Sequence, residues 1–209
     1  MRHETARVDG AGDVSRQFDV RAIRLATHGW LLGNPLVYKP GAADLDGIAR
    51  QLARAGSASG TLVVGDDERE EIPARPQTIL ILRAPATEAS PGQAAAAAIA
   101  GVARESLGCS CAIEGRWDVV TPIRGNAVAV AQVSMSEESG AVLLGLRFAF
   151  AALWEAGCDD DGQPRAPLLA RADWREVFLA RALHALDIHL RGQAPLSPLS
   201  PLSPSSPLS

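Results

Sequence analysis

Lysine is almost missing from this chain: Lys39 is the only one, and apart from histidine every other basic side chain is arginine. Chemistries that need an amine beside a reacting phosphate or carbonyl therefore have a single candidate. Aromatic residues are only 4% of the 209, so the hydrophobic 47% must build its core mainly from Ala, Leu, Val and Ile. No block of basic residues alternates with aromatics and the formal net charge is −4, which leaves nucleic-acid binding with little electrostatic support. The three cysteines are an odd number and outline no disulfide framework. No apolar run is long and charge-free enough to cross a bilayer. Met1 to Ser15 is polar and lacks the apolar stretch of a secretory signal, so the sequence reads as cytoplasmic.

The length is that of one domain. Residues 1–17 read as a loose arm and 18–192 as the folded unit. Residues 193–209 read as a tail, because repeated Pro and Ser remove backbone donors and bury too little apolar area to offset ordering entropy. Within the unit, Phe18 to Ala26 alternates as a strand, and Leu36 to Tyr38 is a short apolar run after a Gly-Asn-Pro turn. Leu45, Ile48, Ala49 and Leu52 predict a helix from about Ala43 to Ala55, stopped by Gly56. Thr61 to Val64 and Thr78 to Leu82 read as strands around the acidic loop Asp66 to Glu71. Ser90, Pro91 and Gln93 form a capping box at the head of an alanine-rich helix that Gly108 ends. Cys111 to Val120, Ala127 to Ser134 and Ala141 to Phe150 read as an antiparallel meander, turning at Pro122 to Asn126 and at Ser136 to Gly140. Asp173, with Glu176 three positions on, caps a last helix whose apolar stripe includes Trp174, Val177, Phe178 and Ala182.

Three features of this order carry a resemblance. An apolar strand, Thr78 to Leu82, feeds the long helix Pro91 to Leu107. A Trp-Asp pair, Trp117 and Asp118, precedes the segment Ile123, Arg124, Gly125, Asn126. An acidic segment, Trp154, Glu155, Ala156, Gly157, Cys158, comes before the last helix. The stretch from about Leu62 to Leu190 resembles the catalytic domain of biotin and lipoate protein ligases, in particular a divergent bacterial biotin/lipoate A/B protein ligase-like branch. The resemblance implies an α+β fold with a mixed, largely antiparallel sheet and helices packed on it, of the class II aminoacyl-tRNA synthetase/biotin-lipoyl ligase type. It implies attachment of a carboxylic-acid cofactor, biotin or lipoate, to a carrier-protein lysine through an acyl-adenylate made from ATP. It assigns Arg124 and Asp118 as catalytic and Trp117, Gly125 and Asn126 as substrate-binding, with no metal. The chain departs from the family in three places. The Gly-Arg-rich loop that holds the acyl-adenylate has no counterpart, and DDEREE carries the wrong charge for phosphate. Arg116, Trp117, Asp118 and Val119 replace the fuller Trp motif. No lysine follows Lys39. Those departures motivate a second reading, a ligase-fold binding module without catalysis; a thioesterase-type α/β domain is a third.

Each residue has a plainer role as well. Trp117 and Asp118 fit a core tryptophan beside a turn-facing aspartate, and Arg124 and Asn126 fit hairpin-turn chemistry. Cys109 and Cys111 read as buried structural thiols, with no Cys or His partners at zinc spacing. Cys158, beside Asp159 to Asp161, is expected to have a raised pKa, which opposes a role as an acyl carrier. His184 and His189, five apart, face different ways on a helix.

Overall fold

The computed structural model describes residues 19–28, 30, 32–40, 44–66, 78–83 and 90–192. The expected arm, the tail and most of the acidic loop lie outside the described residues. Among them the chain is α+β, with a seven-stranded mixed sheet and five helices. In chain order these are α1 (Val20–Thr27), β1 (Leu36–Pro40), α2 (Leu45–Arg54), β2 (Thr61–Asp66), β3 (Thr78–Leu82), α3 (Pro91–Leu107), β4 (Ala112–Glu114), β5 (Asp118–Ile123), β6 (Asn126–Glu138), β7 (Ala141–Phe148), α4 (Phe150–Gly157) and α5 (Trp174–Gly192). The strands lie in the order β1-β2-β3-β7-β6-β5-β4; β1 and β2 run parallel and every other pairing is antiparallel.

Four helices bury one face of the sheet. Leu62, Leu80, Leu144, Leu146 and Phe148 point into a core with α1, α3, α4 and α5, where Ile23, Ala96, Ile99, Leu153, Trp174 and Phe178 meet them. The shortage of aromatics is met by concentration: Phe148, Phe150, Trp154, Trp174 and Phe178 form one chain of ring contacts at the α4–α5 end. Among the described residues the other face carries only α2, whose Leu45, Ala49 and Ala53 cover Val63, Ile79, Ile81 and Leu143. Asp44 caps α2 by accepting the Gly47 N–H at 2.8 Å. Arg83, just past β3, ties the other end of α2. Its Nη2 donates to the Ala53 carbonyl, its Nε to Ser57 O at 2.7 Å and its Nη1 to Ser139 O at 3.4 Å. One guanidinium thus supplies donors to carbonyls at the end of α2 and at the β6–β7 turn.

Several expectations are corrected. Of the strand expected over 18–26, Phe18 lies outside the described residues and the rest is not a strand but the N-cap and body of α1, because Asp19 accepts the Arg21 and Ala22 N–H groups and Ile23 and Thr27 bury at helical spacing. Ser90 heads α3 and Pro91 occupies its first turn, but the capping box does not form: the Ser90 hydroxyl is buried with no hydrogen-bond partner among the described residues. The segment from Cys111 to Val120 is not one strand. Gly115, at φ 56°, turns the chain between β4 and β5. Pro122 sits inside β5, which runs past the end of β4 and so needs no ladder bond on that side. Both remaining hairpins turn in two residues, Arg124–Gly125 (φ 49° and 82°) and Ser139–Gly140 (φ 50° and 72°), as a type I′ turn requires. Phe150 begins α4, a helix not expected from the sequence, so β7 stops at Phe148. Glu176 reaches across to accept the Asp19 N–H at 2.8 Å and joins α5 to α1.

Candidate functional site

Alternation fixes which side chains occupy the sheet face that α2 half covers. Ala141 and Leu143 of β7 pack under α2, so Gly145 and Arg147 share their side. Pairing then places Ser136 beside Leu143, Ser134 beside Gly145 and Gln132 beside Arg147. The half-buried Arg147 donates from Nη1 to Gln132 Oε1 at 3.3 Å. Because Val119 pairs with Ala131, the neighbouring Asp118 stands abreast of Gln132, and Glu114 pairs with Asp118 on the far side. A polar row, Arg147–Gln132–Asp118–Glu114, therefore crosses four strands at one end of the face. Its floor is small: Gly145 is buried, and Ser134 and Ala129 are exposed.

The expected site residues divide over three places. Asp118 belongs to the polar row. Trp117, one residue earlier, points to the helical face, where Gly92 in the first turn of α3 lies so close that a Cβ there would sit 2.7 Å from the indole. The guanidinium carbon of Arg116 covers the ring at 4.5 Å. Trp117 is thus a packing residue against the core, not an element of the Asp118 row. Arg124, Gly125 and Asn126 form the β5–β6 hairpin end. The Arg124 side chain is 85% exposed and pairs with Glu155 of α4 at 2.9 Å; Asn126 is exposed opposite Ile123. Trp117 and Arg124 flank β5, about 23 Å apart at ordinary strand rise. Trp117 therefore does not share a site with Arg124 and Asn126, the residues that the resemblance assigns to one catalytic centre with it. The motifs in the sequence do not single out Arg147 and Gln132, although Arg147 is the one charged residue in the otherwise apolar run Val142 to Phe148.

Along α2, a second polar group borders the same face. Arg50 and Arg54 both bond Glu138 at the end of β6, the latter through two nitrogens at 3.0 and 3.2 Å. The hydrogen bond from Arg54 holds the Glu138 carboxyl below its ordinary value, against a smaller opposing effect of burial. A lowered carboxyl pKa stabilises the fold above the ordinary carboxylate range, and that contribution disappears as pH falls through the lowered value. Acidification should therefore loosen α2 first. The protection factors of residues 45–54, with the pH dependence of intrinsic exchange divided out, should fall toward low pH, and Glu138→Gln should show the lower protection already at pH 7; unchanged protection in that variant would contradict this.

The cysteines are chemically quiet. Cys109 is 2% exposed, and burial first, then the neighbouring Cys111, pushes its thiol up to about 12. Burial also raises Cys111 and Cys158, the latter with help from Asp159. Such thiols stay neutral and make poor nucleophiles. Among the described residues no group of three or more His, Cys, Asp or Glu can hold a metal, and no helix is long and apolar enough to cross a membrane. Because the unfolded thiol ionises near its ordinary value, the raised pKa of Cys109 is fully stabilising below about pH 9 and lost progressively above it. Stability should fall with a slope of at most about 1.4 kcal/mol per pH unit between pH 9 and 12. Chemical-denaturation curves of Cys109→Ala should show a shallower alkaline loss than the parent. His184 stacks on Trp30 with ring centroids 4.6 Å apart, so it is a packing residue between α5 and the chain after α1. No protein-family model matches the chain, and no curated protein sequence matches it.

Proposed function

We propose that the protein binds a small carboxylic acid on the sheet face beside α2 and, as a biotin/lipoate ligase-like domain, joins it to a carrier-protein lysine through an acyl-adenylate. The observation that carries this reading is Arg147, hydrogen-bonded to Gln132 in one row with Asp118 over a floor of small residues. A guanidinium fork matches a carboxylate in geometry and charge. A carboxylate oxygen would attack the α-phosphorus of ATP and release pyrophosphate, with Arg147 offsetting the charge that develops. The carrier amine would then attack the acyl carbon, Asp118 would accept its proton, and AMP would leave with the electron pair of the broken bond. Arg147 takes here the part that the sequence assigned to Arg124. Incubating the protein with ATP, labelled biotin or lipoate and a carrier domain should give ATP-dependent pyrophosphate release and labelled carrier. Absence of both products with both acids would overturn the reading.

A second reading, acid binding without catalysis, is favoured by one observation: β5, β6 and β7 carry no lysine, so the row has no ammonium beside the reacting phosphate. Thermal shift separates the two. A ligase gains stability from ATP and acid together, whereas a binding module responds to the acid alone.

A further inference from the structure

Two of the three exposed large aliphatic side chains among the described residues stand on neighbouring helices in the same chemical setting. Leu25 of α1 is 80% exposed and Ile188 of α5 is 58% exposed. Arg21 lies four residues before Leu25 and His28 three after it. Helical spacing puts all three, with Arg24, on one exposed arc opposite the buried Ile23 and Thr27. His184 and Arg191 hold the same two positions about Ile188, and Arg181 lies one turn before His184; these too are exposed. The Asp19 N–H bonds Glu176 near the start of α5, and the Trp30 ring, just past α1, stacks on His184. The two helices therefore run side by side in the same direction. Both bury their inner sides in one core, so their outer arcs look the same way.

The charge of that surface has one sign. Among the described residues Arg21, Arg24 and Arg181 have no ion-pair partner, and Arg181 donates only to the neutral Ser106 hydroxyl at 2.8 Å. The nearby carboxylates are engaged: Asp187 pairs with Arg191 at 2.7 Å, and Asp19 accepts the Arg21 and Ala22 N–H groups. A positive patch in a chain of net charge −4 attracts an anionic partner and repels the same face of a second copy. The two aliphatic side chains project as knobs. A bilayer accepts such knobs without a matching pocket, and guanidinium forks suit lipid phosphates. We propose that the α1–α5 face seats the protein on an anionic phospholipid surface. Leu25 and Ile188 enter the boundary between headgroups and acyl chains, while Arg21, Arg24 and Arg181 meet the phosphates. The contact is peripheral and reversible, and it needs neither ATP nor the acid site.

The test is co-sedimentation of the full chain with vesicles of phosphatidylcholine alone and of phosphatidylcholine mixed with phosphatidylserine. Expected is binding to the mixed vesicles only, weakened by added salt. Arg21→Gln with Arg24→Gln should weaken it about 25-fold, roughly fivefold for each arginine. Leu25→Ala with Ile188→Ala should weaken it about tenfold or more. All four side chains are exposed, so both double variants should melt with the parent, which separates lost docking from lost folding. Equal binding to the two kinds of vesicle, binding to neither, or parent affinity in either double variant would overturn the proposal. Salt-sensitive capture of polyglutamate without binding to vesicles would mark an acidic polypeptide as the occupant and overturn the lipid assignment.

Discussion

Trp174→Ala should lower the unfolding free energy by about 3–5 kcal/mol, the usual cost of emptying a large aromatic site. Trp174 is 1% exposed and packs edge-on against Phe150, with centroids 5.5 Å apart, and at a tilt against Trp154 at 5.9 Å. It joins α4 to α5 where five aromatic rings of the core meet. Against a total stability of roughly 5–15 kcal/mol, the loss is a large share. Trp174→Phe keeps part of the volume and should cost less than half as much. Urea melts of the three proteins decide the matter, and a loss under about 1 kcal/mol for the alanine variant would mean that the surrounding helices collapse into the space.

The second large effect concerns the site. Arg147→Met should weaken biotin or lipoate binding roughly ten- to hundredfold, because a hydrogen bond to a charged group contributes about 1.5–3 kcal/mol. Methionine preserves most of the apolar stem of the side chain, and Arg147 is only half-buried, so the melting curve should change little. Arg147→Lys should recover part of the loss, since a point charge replaces a planar fork. Calorimetric titration at fixed ionic strength gives the comparison. Equal affinities for parent and methionine variant would remove the anion anchor from the proposed site.

The sequence marked those elements whose local chemistry and burial agree. Thr78 to Leu82 is apolar throughout and is buried on both faces; Pro91 and Gly108 bracket α3 because φ-restricted and left-handed residues suit those two positions. It misled where a pattern had two solutions. Val20, Ile23 and Thr27 fit a helix as well as residues 18–26 fit alternation, and the Asp19 cap decided the outcome. Phe150 to Gly157 continues the apolar run of β7, so α4 was hidden by the lack of a side-chain cap at Ala149. For the site, Asp118 was recognisable from its neighbour Trp117, but the two lie on opposite faces because successive strand residues alternate. Arg124 and Asn126 drew attention as charged and polar residues near a glycine, the same chemistry that a type I′ turn selects. Arg147 and Gln132 are 15 residues apart in sequence, and only the pairing of β6 with β7 joins them. That link is a matter of register, which composition and spacing do not encode.

The two-residue turns at Arg124–Gly125 and Ser139–Gly140 have a consequence for how the protein tolerates change. Together they set how β5, β6 and β7 slide against one another, and so whether Asp118, Gln132 and Arg147 come level. Substituting the turn residues strains a loop, but inserting or deleting a single residue shifts a strand by one step and sends alternate side chains to the wrong side of the sheet. The row of Asp118, Gln132 and Arg147 should therefore survive much variation in the identity of these turns and almost none in their length.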